Sequence, residues 1–195
     1  MGHDDTARSL APDYPIETER LLLRPIDPER DLDAMHAYRS REDVCAYIPP
    51  VPVTRERLAE TYRDPERTRS VLTEPGQVLA LAVVLQETGE LIGDVVLFWH
   101  SAEHRSGEIG YIIGPDHQGR GYATEAARAL LALGFDGLGL HRITGRIDAR
   151  NPASARVLTR AGMRQESVLV ENEWFKGAWS TEIDFAILES EWAAR

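Results

Sequence analysis

The stretch Gly114-Pro-Asp-His-Gln-Gly-Arg-Gly-Tyr-Ala123 joins an apolar run, residues 108–113, to a segment in which apolar or small residues recur at helical spacing through about Phe135. This pattern predicts a strand, a glycine-rich turn and a helix in succession. Amides in such a turn and in the first helical turn have no partner inside the helix, so they can receive a diphosphate, aided by the helix dipole. Taken alone, the glycines favour an ordinary strand-to-helix connection.

Two other phosphate-binding motifs do not fit this stretch. A Walker A loop requires Gly-Lys-Ser/Thr, which the stretch lacks. A Rossmann fingerprint requires three glycines after an early strand, with an acidic residue about twenty positions further on. Here Gly119 and Gly121 have no third glycine in place, and the turn follows a strand late in the predicted sheet.

The segments on either side predict a mixed sheet. Asp27 before Pro28, and Thr54, are predicted helix N-caps, and Gly162 is a predicted helix stop. The predicted order of elements is β-α-α-β-β-β-α-β-α-β-β. Such an order indicates an α/β (α+β) sandwich, with helices on both faces of a mostly antiparallel, partly parallel sheet. The predicted strands lie at 21–26, 78–85, 91–99, 108–113 and 142–147, and two more close the chain around Lys176 and Gly177.

Composition restricts the class of protein. The 195 residues carry a formal net charge of -10, which argues against nucleic acid or an anionic membrane as a partner. The single cysteine, Cys45, excludes an intrachain disulfide and a cysteine-rich metal site. No signal peptide or membrane span is apparent, so we expect a soluble, cytoplasmic protein. We also expect a flexible tail or a surface-lying arm over residues 1–15 and a single domain over residues 16–195.

Several motifs resemble those of the GNAT acetyltransferase superfamily. Gln118-x-x-Gly121-x-Ala123 matches its acyl-CoA signature, Q/R-x-x-G-x-G/A, at the strand-to-helix junction where the family has it. The resemblance implies a GNAT-like sheet with a splay after the fourth strand. It also implies metal-free transfer of an acetyl group from acetyl-CoA to a primary amine, on a protein N-terminus or a small molecule. Other motifs are similar to the RimJ/RimL-like branch, of the ribosomal-protein-alanine acetyltransferase type: Thr18-Glu-Arg-Leu-x-Leu-Arg24, Glu108-Ile-Gly-Tyr111, Gly121-Tyr-Ala-Thr-Glu-Ala126, Asn151-x-x-Ser154 and Arg160-Ala-Gly-Met163.

The same resemblance implies which residues bind coenzyme A. Backbone groups of Ile112, Ile113 and Gly114 are expected to pair with the pantetheine arm. Asn151 is expected to bond the pantetheine amides, and capping of the following helix explains this residue equally well. The diphosphate is expected at the amides of Gln118, Gly119, Arg120, Gly121, Tyr122, Ala123 and Thr124.

Three residues are candidates for catalysis. Attack on a thioester requires an uncharged amine, whereas an α-amino group titrates near ~8 and a lysine near ~10.4, so a general base is useful. By resemblance the base is Glu108, on the strand that splays, or Glu173, on the penultimate strand, and each also fits a solvated strand position. Many GNAT enzymes have a tyrosine that acts as the general acid where this chain has Leu158. Ser154 is therefore the expected hydrogen-bond donor to the departing sulfur; alternatively, it only satisfies backbone amides of its helix.

Other candidate residues have two explanations. Four aromatic residues either line the acceptor pocket or pack in the core: Trp99, Trp174, Phe175 and Trp179. Thr181 stands where the branch commonly has an aspartate, which leaves acceptor selection open. For Cys45, and for the histidines at 100, 117 and 141, we expect packing or structural roles rather than catalysis or metal binding.

Two further functions compete with acetyl transfer. A sensor or partner-binding module that binds coenzyme A without turnover is one, motivated by Leu158 in place of the tyrosine. A structural dimer with a vestigial coenzyme A site is the other. The family resemblance leaves the oligomeric state as monomer or homodimer.

Overall fold

Residues 9–195 are described by a computed structural model, in which eight strands form one sheet. The strands are β1 (Ile16–Glu17), β2 (Leu21–Pro25), β3 (Val78–Leu85), β4 (Leu91–Ser101), β5 (Ser106–Ile113), β6 (Arg142–Asp148), β7 (Arg164–Phe175) and β8 (Ala178–Leu188). Their order across the sheet is β1-β2-β3-β4-β5-β6-β8-β7. Neighbours pair antiparallel except β5 and β6, which are parallel. The predicted mixed, mostly antiparallel sheet is confirmed.

Helices begin and end where the sequence places their caps. The Asp27 carboxylate accepts from the amides of Glu29 and Arg30, and the Thr54 hydroxyl accepts from the amide of Arg57. Gly162 ends its helix with φ of 101°, in the left-handed region that glycine adopts easily. The helices are α1 (Pro28–Arg39), α2 (Glu42–Cys45), α3 (Arg55–Tyr62), α4 (Tyr122–Ala132), α5 (Pro152–Ala161) and α6 (Glu189–Trp192). Within residues 9–195 we find no helix with the length and apolar character needed to cross a bilayer.

Side chains alternate along the strands and build a core on each face of the sheet. On β3, Leu79, Leu81 and Val83 join the larger core, which packs against α4 and α5. Ala80, Ala82 and Val84 point the other way, into a smaller core with residues of α1 and α3. We call these the α4/α5 face and the α1/α3 face. Helices therefore cover both faces, as the order of elements predicted.

The sheet opens between its two parallel strands. β5 and β6 pair over Ser106–Glu108 and Arg142–Thr144, and beyond Glu108 they separate. β5 stays paired with β4 as far as Ile113, while β6 pairs with β8 along its whole length. The backbone edge of residues 109–113 that faces β6 is therefore free. This opening follows the fourth predicted strand, which is β5 here because the two-residue strand β1 was not predicted.

The segment before β1 is attached to the domain. Residues 1–8 of the expected tail lie outside the described residues. Leu10 exchanges two backbone hydrogen bonds with Leu72, at 2.8 and 2.9 Å, and its side chain is buried. The Tyr14 hydroxyl donates to the carbonyl of Ser70 at 2.8 Å. From Leu10 onward the segment is thus a docked arm rather than a free tail, because one apolar residue finds a place in the larger core.

Candidate active site

The glycine-rich turn presents a row of unpaired backbone amides at the start of α4. Gly119 and Gly121 adopt φ of 76° and 87°, and the first bond into the helix runs from the amide of Glu125 to the carbonyl of Gly121, at 3.1 Å. No side chain caps this helix end. Among the described residues, no hydrogen-bond acceptor lies on the amides of residues 119–124. Such a row at the positive end of a helix suits a diphosphate.

Gln118 shapes this turn from inside. Its side-chain amide donates to the carbonyl of Ile113 at 2.9 Å, and its backbone amide donates to the carbonyl of Pro115 at 3.2 Å. The glutamine therefore ties the turn to the end of β5. Because its own amide is engaged, the row open to a ligand starts one residue later than predicted, at Gly119.

A contact with the start of the chain braces the same turn. The Glu125 carboxylate accepts from the Thr18 hydroxyl at 2.6 Å, and from the amide and side chain of Arg20 at 2.7 and 2.8 Å. Arg20 also donates to the carbonyl of Arg120 at 3.0 Å. Burial raises the pKa of Glu125, but the hydrogen bonds from Thr18 and Arg20 outweigh burial and lower it below the ordinary value. Glu125 is thus held ionised in the first turn of α4.

A cleft of about 730 Å³ lies at the opening between β5 and β6, and residues of both sheet faces line it. Tyr111 and Leu158 belong to the α4/α5 face. Val96, Phe98 and Glu108 alternate with core residues of that face and so lie on the α1/α3 face. The cleft therefore connects the two faces at the place where the strands separate.

The α4/α5 side of the cleft carries neutral polar groups. Asn151 Oδ1 accepts from the amide of Ser154 at 3.1 Å, which confirms its helix-capping role. The Tyr111 hydroxyl donates to the Ser154 carbonyl at 3.1 Å, and burial raises the pKa of Tyr111 to about 12. Among the described residues, Ser154 Oγ and Asn151 Nδ2 have no hydrogen-bond partner. Both groups line the cleft and are free for a ligand.

The α1/α3 side carries carboxylates around one arginine. Glu108 Oε2 lies 3.2 Å from His100 Nε2 and 3.5 Å from Arg146 Nε. Glu182 lies on β8, and its pKa is raised above the ordinary value. Burial is the main cause, and nearby acidic groups such as Glu173 add to it, which together outweigh the opposite effect of Arg146. Asn172 Nδ2 donates to Glu182 Oε1 at 3.4 Å. This wall therefore has more negative than positive groups.

Comparison with known proteins identifies the family. A family model described as acetyltransferase (GNAT) domain matches residues 20–164. The chain belongs to the GNAT acetyltransferases.

The relatives agree with this assignment over nearly the whole chain. The Bacillus subtilis N-acetyltransferase YnaD is 34% identical over 177 residues, which is 91% of this chain and 98% of YnaD. A solved GNAT-family acetyltransferase from Bacillus anthracis superposes with a TM-score of 0.79 at 32% identity, covering 90% of this chain and 98% of that one. Spermidine N-acetyltransferase from Vibrio cholerae, solved with CoA and spermine, gives 0.76 at 26% identity, covering 90% and 99%. These matches do not place the chain in the RimJ/RimL-like branch.

Five predicted residues of this GNAT enzyme line the cleft. The structure brings Glu108, Glu173, Ile112, Asn151 and Ser154 around it, although they come from strands β5 and β7 and from the start of helix α5. Ile113 and Gly114 lie just beyond, where the Gly114 amide donates to the carbonyl of Ile92 at 2.8 Å. The signature turn forms a separate surface, as expected if the two ends of one long ligand are held apart.

The aromatic candidates divide between cleft, core and surface. Phe175 lines the cleft of the GNAT enzyme. Trp99 is buried in the larger core, which agrees with the second of its two explanations, core packing. Trp174 and Trp179 are 61% and 56% exposed and contact each other edge to face on the β7–β8 hairpin, outside the cleft lining. Strand alternation explains the difference, because Phe98, not Trp99, faces the opening.

The cysteine and histidines have local contacts. Cys45 is buried, and burial raises the pKa of its thiol, as expected for packing. His117 Nε2 lies 3.1 Å from Glu90, and His141 Nδ1 lies 3.7 Å from Glu189. His100, in contrast, contacts the candidate base Glu108. Within the described part of the chain, no cluster of His, Cys, Asp or Glu is suited to a metal ion.

Three residues of this GNAT site were not predicted from the sequence. Tyr111 lay inside a quoted motif, but nothing local linked its hydroxyl to Ser154. Arg146 and Glu182 lie on β6 and β8 and meet through the pairing of those strands. One signal was available for Glu182, because Glu182 and Asp184 alternate with Ile183 and Phe185 along β8. That period of two marks a polar face of the strand.

Proposed function

We propose that this GNAT enzyme acetylates a primary amine that enters the cleft from the α1/α3 face, while acetyl-CoA binds from the α4/α5 face. The cleft that joins the two faces carries this proposal, because it has neutral polar groups at one end and carboxylates at the other. An acetyl-CoA molecule supplies the thioester as the activated acetyl group. The single, buried cysteine suits a reducing cytoplasm as the place of action.

The residues of the donor side fit coenzyme A. The open amides of residues 119–124 supply N–H donors at a helix start, which is what a diphosphate requires. The free edge of β5 beyond Glu108 offers backbone groups to an amide-containing arm. Asn151 Nδ2 and Ser154 Oγ add side-chain groups beside that edge. A ligand that carries both a diphosphate and amides can use all of these groups at once.

The chemistry requires a base on the acceptor side and a hydrogen-bond donor on the donor side. The amine nitrogen attacks the thioester carbonyl, a C–N bond forms, the C–S bond breaks, and one amine proton leaves to a carboxylate directly or through water. Glu108 is oriented by His100 and Arg146, whereas burial raises the pKa of Glu182 and makes it a stronger base than an ordinary glutamate. Glu173 is exposed at the rim and suits binding of a cation better than proton transfer. The departing thiolate accepts a hydrogen bond from the Ser154 hydroxyl and takes its proton from solvent.

The charges of the acceptor side favour a cationic small-molecule amine. Glu108, Glu173 and Glu182 outnumber the exposed arginines of the cleft lining, Arg67 and Arg146, so a second positive charge on the acceptor gains by binding there. The likeness to spermidine N-acetyltransferase supports the same class of acceptor. A protein N-terminal α-amine is the second candidate, supported by the motifs that resemble the RimJ/RimL-like branch.

An acceptor panel tests this function. The protein is incubated with acetyl-CoA and spermidine, a simple diamine, a neutral-tailed monoamine or a short peptide with a free N-terminus, and release of free thiol is followed. We expect the fastest release with the di- and polyamines. Fastest release with the peptide would favour the second candidate. Thermal stabilisation by CoA without thiol release on any amine would instead favour an inactive binding module.

A further inference from the structure

Lys176 is the only lysine of a chain that otherwise uses arginine, and it lies at the turn between β7 and β8. Lys176 and Gly177 both adopt positive φ, of 50° and 84°, as the two central residues of a tight hairpin turn do. Its Nζ donates to three carbonyls of one segment, those of Cys45, Ile48 at 2.9 Å and Pro50 at 2.8 Å. An ammonium group has three N–H donors, so all of them are used.

The segment that receives these bonds has few others. Residues 46–53 follow α2, and their prolines at 49, 50 and 52 have no N–H to donate. Among the described residues, two backbone bonds hold the segment: Ile48 to the Cys45 carbonyl at 3.5 Å, and Val53 to the Arg39 carbonyl at 3.3 Å. Lys176 therefore gives this loop two hydrogen bonds, at Ile48 and Pro50, as many as the backbone bonds that fasten it, and a third at Cys45 directly before it.

The contact joins two walls of the acceptor side. Most of the 46–53 loop lines the cleft, and so does Phe175, which precedes Lys176 on the hairpin. We propose that Lys176 is a positioning residue for the amine acceptor, because it clamps this loop to the β7–β8 hairpin and so sets the width of the acceptor entrance. The proposal rests on the function proposed above. A planar guanidinium directs its N–H groups in one plane, whereas these three carbonyls converge on a single point, so arginine is a poor substitute.

Kinetics of the Lys176→Met variant test the clamp. We expect the KM for the amine acceptor to rise about tenfold, since hydrogen bonds to a charged group are lost, while the KM for acetyl-CoA changes less than about twofold. Arg63→Met is the matched control, because Arg63 is an exposed cation next to α3 that does not line the cleft. Equal changes in both KM values, or an acceptor KM like that of the control, would overturn the proposal.

Chemical rescue and hydrogen exchange separate positioning from a general loss of structure. Alkylation of the Lys176→Cys variant with 2-bromoethylamine restores an ammonium of nearly native length, and we expect the acceptor KM to return to within about twofold of the wild-type value. Alkylation with iodoacetamide gives a neutral side chain and should not restore it. Cys45 is buried, so mass spectrometry should count one adduct. Failure of the ammonium adduct to restore the KM would contradict the clamp.

Hydrogen exchange of backbone amides tests the contact of Lys176 with the 46–53 loop independently of enzymatic activity. We expect peptides covering residues 46–53 to exchange faster in Lys176→Met than in wild type, with unchanged exchange in β3 and β4. If the wild-type protein acetylates no amine in the panel, the proposed function fails while this measurement still decides whether Lys176 holds the loop. Unchanged exchange in residues 46–53 would overturn the inference even in an active enzyme.

Discussion

The two sides of the cleft are built in different ways. The donor side consists mainly of backbone amides from one continuous segment, residues 119–124, and its conformation depends on two glycines and one glutamine. The acceptor side consists of side chains, Glu108, Arg146, Glu173 and Glu182, carried by four different strands. In the function proposed above, a diphosphate is recognised by a local backbone shape, whereas an amine is recognised by charges that only strand pairing brings together. The four predictions that follow test this contrast, from the largest expected effect to the smallest.

The largest effect is expected when the amide turn is blocked. In Gly121→Glu the new residue must adopt a backbone φ of 87°, which strains it, and its carboxylate lies at the proposed diphosphate site. We expect affinity for CoA, measured by calorimetry, to fall by at least about a hundredfold. Gly89→Glu is the matched control, since Gly89 also has positive φ, 72°, and open space around it, but lies in the β3–β4 turn. Unchanged CoA binding in Gly121→Glu would contradict the proposal that the amides of residues 119–124 bind the diphosphate.

Support of the α1/α3 face is the next target. Asp94 on β4 is buried and bonded by Arg39, at 3.2 Å and 2.5 Å, and by the Tyr38 hydroxyl, at 2.6 Å. Asp94→Ala leaves the half-buried Arg39 guanidinium unpaired, so we expect the free energy of unfolding in urea to fall by about 2 kcal/mol. In the control Asp33→Ala, which breaks an exposed pair with Arg55, it should barely change. Equal losses would show that the buried pair does not hold this face.

A carboxylate of the acceptor wall is expected to affect only one substrate. Because the pKa of Glu182 is raised, it can accept a proton from the amine more readily than an ordinary glutamate. We expect Glu182→Gln to lower kcat/KM for a diamine about tenfold or more and to move the acidic limb of the rate profile, with CoA affinity unchanged. The same substitution at exposed Glu87 serves as the control. A matching loss of CoA affinity would contradict the separation of the two sides.

The brace behind the turn is expected to have the smallest effect. The folded protein lowers the pKa of Glu125, so its contribution to stability is present above the unfolded value, near ~4.3, and is lost as pH falls through the folded value. Glu125→Gln should therefore lower the free energy of unfolding by about 1 kcal/mol at pH 7, and the difference from wild type should shrink in acid. Urea denaturation at several pH values measures both. A difference that does not depend on pH would mean that ionic bonding is not the cause.

The order of elements was predictable because its signals are local. Caps at Asp27 and Thr54, the stop at Gly162 and the turn around Gly119 each depend on a few neighbouring residues. The opening in the sheet followed from family resemblance and not from any residue pattern. Strand β1 was not predicted, because its two residues are too few to show the alternation of apolar and polar side chains typical of a strand.

The sequence determined the donor side by itself. Amide donors belong to every residue, so a turn with glycines in the right places is sufficient, and the acyl-CoA signature is a contiguous string. The acceptor side, the brace from Arg20 to Glu125 and the clamp from Lys176 to Pro50 were decided only by the tertiary structure. They join residues about a hundred or more positions apart, or depend on which face of a strand a side chain occupies. Pairing register and chain crossing set those distances, and neither can be read from any single segment.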